Sequence, residues 1–360
     1  MEYAAVEAGH IAFERRGALG RIRLTRPDAL NAVTHGMVLA MRAVLDEWAA
    51  DDSIAAVCIM GEGRAFSAGG DIRAIYERGR AGEPFDEFFA DEYALNIQIK
   101  RFPKPYIAFI DGIAMGGGVG VSYHGSHVVV GENARFAMPE CGIGFFPDVG
   151  GTYLLPRLPG DWGLALGLSG ARMNAMDQIA LGLATHGVRA EHWGEVLGAL
   201  ADGEDADDVF ANAPRFAERA PGDEPATRYA TACGTLPPDG TTSRIAPEGE
   251  TSIHLPVLPP KWDRLATQSP TSFRLVKRQI AAGANSGFER CMGMEARIAY
   301  RMLRGHDFYE GIRTAVIHKD AIPRWDPPTR VRVPDEAVDR YFNPVEDGPL
   351  ASLSALAGAA

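Results

Sequence analysis

Asp111-Gly112-Ile113-Ala114-Met115-Gly116-Gly117-Gly118 follows the apolar run Pro105 to Ile110, and its reading decides how the rest of the chain is understood. The run has the length and composition of a buried strand, Asp111-Gly112 turns the chain, and the glycines stand at the mouth of a helix. Three adjacent glycines cost backbone entropy, and that cost is most easily explained where a ligand must approach the backbone closely. Their spacing is not that of the dinucleotide-binding fingerprint, and the Lys-Ser/Thr pair of a P-loop is missing. Upstream, Phe66-Ser67-Ala68-Gly69-Gly70-Asp71 has the same arrangement: a strand over Ala55 to Met60, a glycine-bearing loop from Gly61, and a helical pattern from Ile72. Backbone amides at such a junction point outward at the positive end of a helix and suit a developing oxyanion. A tight turn that needs glycine would account for either stretch taken alone.

Downstream lies Phe136-Ala137-Met138-Pro139-Glu140-Cys141-Gly142-Ile143-Gly144-Phe145-Phe146-Pro147-Asp148-Val149-Gly150-Gly151. Glu140 and Asp148 are the two carboxylates in a stretch otherwise made of apolar residues, Gly and Pro, where an acid is seldom found unless paired or used. Burial, or one acid facing the other, raises at least one pKa towards neutral pH. The competing explanation is helix capping, with Glu140 capping one helix and Asp148 serving as N-cap of the next.

Around these stretches the periodicities alternate. Residues 10–14 and 20–24 predict a hairpin. Thr34 is a candidate N-cap for a helix whose apolar face is Met37, Val38, Met41, Val44, Leu45 and Trp48. Residues 86–101 form another helical pattern, and Ser126 to Val130 another strand. Repeated strand, loop and helix units predict an α/β layered fold. The texture changes after residue 190. Residues 201–260 include Pro221-Gly222 and Leu236-Pro237-Pro238-Asp239-Gly240 and read as a variable excursion with little core of its own. The expected organisation is therefore a core over 1–200 that carries the site, the excursion over 201–260, a helical region over 261–345 and a frayed tail over 346–360.

The bulk composition excludes several classes. The 360 residues are 46% hydrophobic and 23% charged, as in an ordinary soluble enzyme. The net charge of −11 disfavours nucleic acid and anionic membrane surfaces as partners. Arg21, Arg23 and Arg26 form a local basic cluster that reads as a solvated strand edge. Cys58, Cys141, Cys233 and Cys291 are far apart and include no C-x-x-C pair, which argues against disulfides and zinc and for a reducing, cytoplasmic compartment. The first residues lack the pattern of a signal peptide, and no membrane span is expected. Ser122 and His124 are two apart in a predicted helix, face different sides, and do not form a G-x-S-x-G elbow.

Taken in order, Phe66-Ser67-Ala68-Gly69-Gly70-Asp71, Met115-Gly116-Gly117-Gly118, Met138-Pro139-Glu140 and Gly150-Gly151 resemble the crotonase (enoyl-CoA hydratase/isomerase) superfamily. The resemblance implies a superhelix of ββα turns with two roughly perpendicular sheets and a helical C-terminal region. It implies an oxyanion hole made by the amides of Gly70 and Gly117, an acyl-CoA substrate lying along residues 64–71 with Ala68 and Asp71 as contacts, no resident cofactor and no metal. It also implies a homo-oligomer, commonly a trimer or hexamer. Hydratases of the superfamily carry a glutamate two residues beyond the Gly triplet, where this chain has Gly120. Pro147-Asp148-Val149-Gly150-Gly151 puts an acid where hydratases have glycine. Ser269-Pro270-Thr271-Ser272, Met294-Glu295 and Arg304-Gly305-His306-Asp307-Phe308-Tyr309-Glu310-Gly311-Ile312-Arg313, with Lys319-Asp320 beyond, extend the match. Together these look like the 3-hydroxyisobutyryl-CoA hydrolases. That resemblance implies Glu140 and Asp148 as the catalytic pair and Glu92 as a substrate contact. His306, Asp307 and Glu310 read as structural. The rivals are a hydratase or isomerase of the same superfamily and a non-catalytic CoA- or RNA-binding scaffold.

Overall fold

The computed structural model describes residues 9–217, 243–245, 253–255, 267–319 and 321–358. Cys233, Asp320 and the runs Pro221-Gly222 and Leu236 to Gly240 lie outside the described residues. The chain divides into two compact units that interleave along the sequence. The first comprises Met1–Gly70, Ala94–Phe136 and Met173–Asp223, and the second Asp71–Tyr93, Ala137–Arg172 and Glu224–Ala360.

The first unit is built on two sheets. Its strands in chain order are β1 (Ile11–Arg16), β2 (Leu19–Leu24), β3 (Ala56–Gly61), β4 (Ala65–Ser67), β5 (Tyr106–Ile110), β6 (Ile113–Met115), β7 (His127–Val130), β8 (Arg135–Ala137), β9 (Met173–Asn174), β10 (His186–Val188) and β11 (Arg215–Ala217). One sheet has the order β1-β2-β3-β5-β7-β10-β11 and the other β4-β6-β8-β9. The larger sheet is parallel from β2 to β10, with Cys58 opposite Ile107 and Phe109 opposite Val129. Its edges, β1 and β11, run antiparallel to their neighbours. β5 and β7 are buried at every residue, as parallel strands covered on both faces must be, and apart from His127 they read as apolar runs.

The predicted hairpin is β1–β2, and the predicted helix is His35–Ala50. Thr34 accepts from the Met37 amide at 3.2 Å, and the buried face is Met37, Val38, Met41, Val44, Leu45 and Trp48. Three expectations are corrected in this unit. β2 lies between β1 and β3, so Arg21 and Arg23 are not on an edge. Both pair with Glu14, at 3.7 and 2.8 Å, and Arg23 also with Glu62. The glycine triplet opens a single turn, Gly117–Gly120, and Ser122 and His124 lie in the turn past it. The start of the expected excursion is ordered. The helix Ala206–Asn212 buries Val209 and Phe210 in a cluster with Phe109, Val129 and Leu200, and β11 extends the sheet.

The second unit is mostly helical. It contains Ile72–Arg80, Gly151–Leu154, Trp162–Ser169, Pro270–Gly283, Phe288–Met302, His306–Ile312 and Ala351–Ala355, with an antiparallel strand pair at Ser243–Ile245 and Ile253–Leu255. Ser269 caps the helix that Pro270 opens, accepting from the Ser272 amide at 3.1 Å, the usual place for Pro at a first helical position. Phe145 packs against Phe146, Phe308 and Phe89 in tilted pairs with ring centroids 4.6–5.6 Å apart. Asp307 accepts from Ser269 Oγ at 2.6 Å and from the Asp326 amide at 2.8 Å, and Glu310 accepts from the Arg324 amide at 2.7 Å beside its local pair with Arg313, so both tie segments together. As far as residue 358, the segment expected to fray is packed. Leu353 and Ser354 are buried, and Arg297 donates to Ser354 O at 3.0 Å and to Gly358 O.

Candidate functional site

The two glycine loops meet within the first unit. Gly69 has φ +113°, and a Cβ there would stand 3.3 Å from Met115 O and 3.7 Å from the Gly117 nitrogen. A Cβ on Gly118 would meet Ser67 O at 2.6 Å. The loops therefore touch backbone to backbone, and the side-chain-free residues are what allow it. Ser67 Oγ donates to Asn31 O at 2.8 Å, and Asn31 Nδ2 donates to Ala65 O at 2.8 Å, fixing the first loop from below. Gly70 forms an isolated parallel bridge with Val33. Gly117 is the first residue of its helical turn, so its amide has no partner within that turn. Ala68 uses its own amide on Leu30 O at 2.9 Å. Asp71 caps the helix Ile72–Arg80, accepting from the Ala74 amide at 3.3 Å.

The acids gather within the second unit. Glu140 opens the 3-10 turn Glu140–Ile143 after Pro139, its side chain is buried, and its Oε2 has no hydrogen-bond partner. The capping explanation fails for Asp148. Gly150, at φ +88°, is the N-cap of Gly151–Leu154, and the Asp148 carboxylate instead accepts from Tyr93 Oη at 2.9 Å. Glu92, one residue before Tyr93, is buried with Oε1 unpartnered. A fourth acid, Glu295, arrives from the helix Phe288–Met302. Its Oε2 and Oε1 accept from the Gly150 and Thr152 amides, each at 2.8 Å.

These four groups share one electrostatic environment. Burial pushes Glu140 well above the usual carboxylate range, and Asp148 adds to the push. Glu92 is raised for the same reasons, burial first and then the charges of Asp148 and Glu295. Burial raises Asp148 to about 7 against the Tyr93 hydrogen bond, which works the other way. Glu295 is raised to about 8 by burial, although its two amide donors favour the charged form. Acids buried within reach of one another's charge do not all ionise together near neutrality, so the cluster holds protons there. Among the described residues no group of three or more His, Cys, Asp or Glu side chains is arranged to hold a metal ion.

The sequence reading therefore singled out Glu92, Glu140 and Asp148, which the structure brings into one buried cluster, and Gly70 and Gly117, which lie on touching loops. It missed Tyr93 and Glu295 as site residues. The signal for Glu295 was available: it is an acid on the apolar face that also carries Cys291, Met292 and Ile298.

Fold and site define the class. Residues 19–342 match the enoyl-CoA hydratase/isomerase family, and the chain belongs to it. Within that family its curated relatives include the 3-hydroxyisobutyryl-CoA hydrolase, mitochondrial, of Danio rerio, 40% identical over 348 residues, covering 94% of this chain and 91% of that protein. The protein of the same name from Homo sapiens is 36% identical, over 93% of this chain and 89% of its own length. Among solved structures, a carnitinyl-CoA dehydratase from Mycobacterium thermoresistibile is 36% identical with a TM-score of 0.79, covering 94% of this chain and 98% of its own. An enoyl-CoA hydratase from Rhodobacter sphaeroides is 35% identical with a TM-score of 0.80, over 95% and 99%. The crotonase-like α/β fold is thereby established.

Proposed function

We propose that the chain hydrolyses the thioester of 3-hydroxyisobutyryl-CoA, giving 3-hydroxyisobutyrate and free CoA. One observation carries the chemistry: a buried glutamate, Glu140, has an unpartnered oxygen and stands in the same acid cluster as Asp148. The names of the curated relatives support the substrate. In this reading the amides of Gly70 and Gly117 polarise the thioester carbonyl, each worth about 10²–10³ in rate. Glu140 either takes a proton from the attacking water or adds to the carbonyl carbon to give a transient anhydride that water opens. The C–S bond breaks and the thiolate leaves with a proton. Asp148 holds the substrate 3-hydroxyl or passes that proton, and Glu92 contacts the acyl part. Ala68 and Asp71 flank the CoA on the loop. CoA is the leaving group of the substrate, not a resident cofactor.

Hydration of an enoyl-CoA is the second reading, and the names of the two solved structures favour it. Gly120, standing where a hydratase places its other glutamate, counts against it. Parallel assays of 3-hydroxyisobutyryl-CoA, isobutyryl-CoA and crotonyl-CoA separate the two. The expected result is fast thiol release from the first and release about 10⁴-fold slower from the second, because a buried acid left without its hydroxyl is costly. Loss of crotonyl-CoA absorbance without thiol release would overturn it.

The setting we propose is a reducing interior. Cys58, Cys141 and Cys291 are unpaired and buried, in keeping with it, while the mitochondrial names of the relatives count against narrowing it to the cytoplasm. We also propose a homo-oligomer, trimer or hexamer, to be read by light scattering on the purified chain. No helix among the described residues is long and apolar enough to cross a membrane.

A further inference from the structure

The Glu295 carboxyl group has no part in the chemistry above, yet it is buried and both its oxygens are engaged on a single loop. Oε2 accepts from the Gly150 amide and Oε1 from the Thr152 amide, each at 2.8 Å. These are amides at the mouth of Gly151–Leu154 that the helix leaves without internal partners. Gln279, from the helix Pro270–Gly283, reaches the same loop. Its Nε2 donates to Pro147 O and, at 2.7 Å, to Thr152 Oγ1. Between these anchors the backbone takes two consecutive left-handed residues, Val149 at φ +47° and Gly150 at φ +88°. Glycine adopts such angles freely. A β-branched residue does not, and it stays there only when its surroundings dictate the conformation. Asp148 immediately precedes that turn, and its carboxylate meets Tyr93 Oη at 2.9 Å.

We propose that Glu295 is a positioning residue for the hydrolysis, clamping with Gln279 the Val149-Gly150 turn that aims Asp148. The inference rests on the hydrolase reading. Burying an acid only to hold a loop is costly, and both oxygens being hydrogen-bonded offsets that cost. An acid here also does what a neutral clamp cannot, because in its ionised form, which the two amide donors favour, its charge raises Glu140 and Glu92. The titratable groups acting with it are Asp148 on the clamped loop, Glu92 and Tyr93 on the helix Asp86–Lys100, Glu140, and Cys291 on its own helix. Where Glu295 is ionised, removing its charge lowers the Glu140 pKa, so the acid limb of the rate profile moves to lower pH.

The test is Glu295→Gln in the full chain. Gln keeps the shape and one acceptor but sets an amino group against the second backbone amide. Thiol release from 3-hydroxyisobutyryl-CoA would be followed across pH, with hydrogen exchange of the peptides covering residues 147–155. The expected result is kcat at least tenfold lower with KM within twofold, an acid limb displaced to lower pH, and amides at 149–152 exchanging at least tenfold faster while the rest of the chain exchanges as before. Wild-type kinetics and pH profile, a kcat that falls only with the folded fraction, or unchanged exchange would overturn the proposal. Should Glu295→Gln fail to fold, Gln279→Met removes the other half of the clamp at similar volume. A lowered kcat at constant KM supports the proposal there, and a wild-type kcat overturns it. If the wild-type chain releases no thiol, it is the hydrolase reading that fails, and the exchange arm, which needs no substrate, still decides whether Glu295 holds the turn.

Discussion

Glu140 and Glu92 are buried acids whose pKa values in the folded chain lie above their ordinary ones, with burial as the main cause. The folded state therefore keeps protons that the unfolded chain has already released, and stability falls as pH rises from the ordinary carboxylate range through the raised values. Neutral Gln in place of Glu140 should accordingly raise the thermal midpoint at pH 7.5, by roughly 1–3 kcal/mol or a few degrees. The gain should vanish below about pH 4, where glutamate is protonated in both states. Equal midpoints of the two forms at pH 7.5 would contradict the burial and crowding of this acid. Tyr93→Phe should act on Asp148 in one direction only: losing the donor raises an acid already at about 7, so the pH dependence governed by Asp148 moves upward. A profile that moves down or stays put would argue that Tyr93 does not hold Asp148. At this scale Glu140 and Asp148 were legible because acids stand out in apolar sequence. For Asp148 the sequence left capping open beside a buried role, because a capping position and a buried acid before a glycine pair look alike, and the structure removes the cap. The apolar face around Glu295 marks it as a buried acid, but its partner loop is 145 residues away and the sequence does not say which loop that is.

Among the elements, the long ones were readable and the short ones were not. The helix His35–Ala50 shows its buried face and its cap in the sequence, and Thr34→Ala should cost about 1 kcal/mol in thermal or urea unfolding. A loss below a few tenths would mean that the Thr34 hydroxyl does not serve the Met37 amide. β4 and β6 are three residues each, too short for a period-two pattern to register, and the sequence shows neither as a strand. The helix after the glycine triplet was expected to continue and stops after one turn, since glycine is a poor helix former. The Ala-rich end was read as frayed because its partner is another helix. Buried Arg297 donates to Ser354 O, to Gly358 O and, at 3.0 Å, to Phe342 O. Arg297→Ala should therefore destabilise the chain by about 2–4 kcal/mol and expose residues 346–358 to proteolysis. A tail as resistant as in the wild type would contradict that anchoring.

For the whole molecule, the family resemblance located the fold correctly, whereas chain order misled about its organisation. Residues that follow one another are dealt alternately to two units, so that β9 to β11 join the sheets begun by β1 to β8 while the segment 137–172 joins the C-terminal helices. Composition along the chain reports local texture and cannot register such interleaving. This is why residues 206–212, polar in their setting, still supply Phe210 to a core. If a buried glutamate drives thioester hydrolysis, replacing it must stop thiol release, so 3-hydroxyisobutyryl-CoA is given to the wild-type chain and to Glu140→Gln side by side. The expected result is rapid release by the wild type and a loss of about 10³-fold or more in a variant that folds and still binds the substrate. A Glu140→Gln variant retaining activity within a few-fold of the wild type would contradict it.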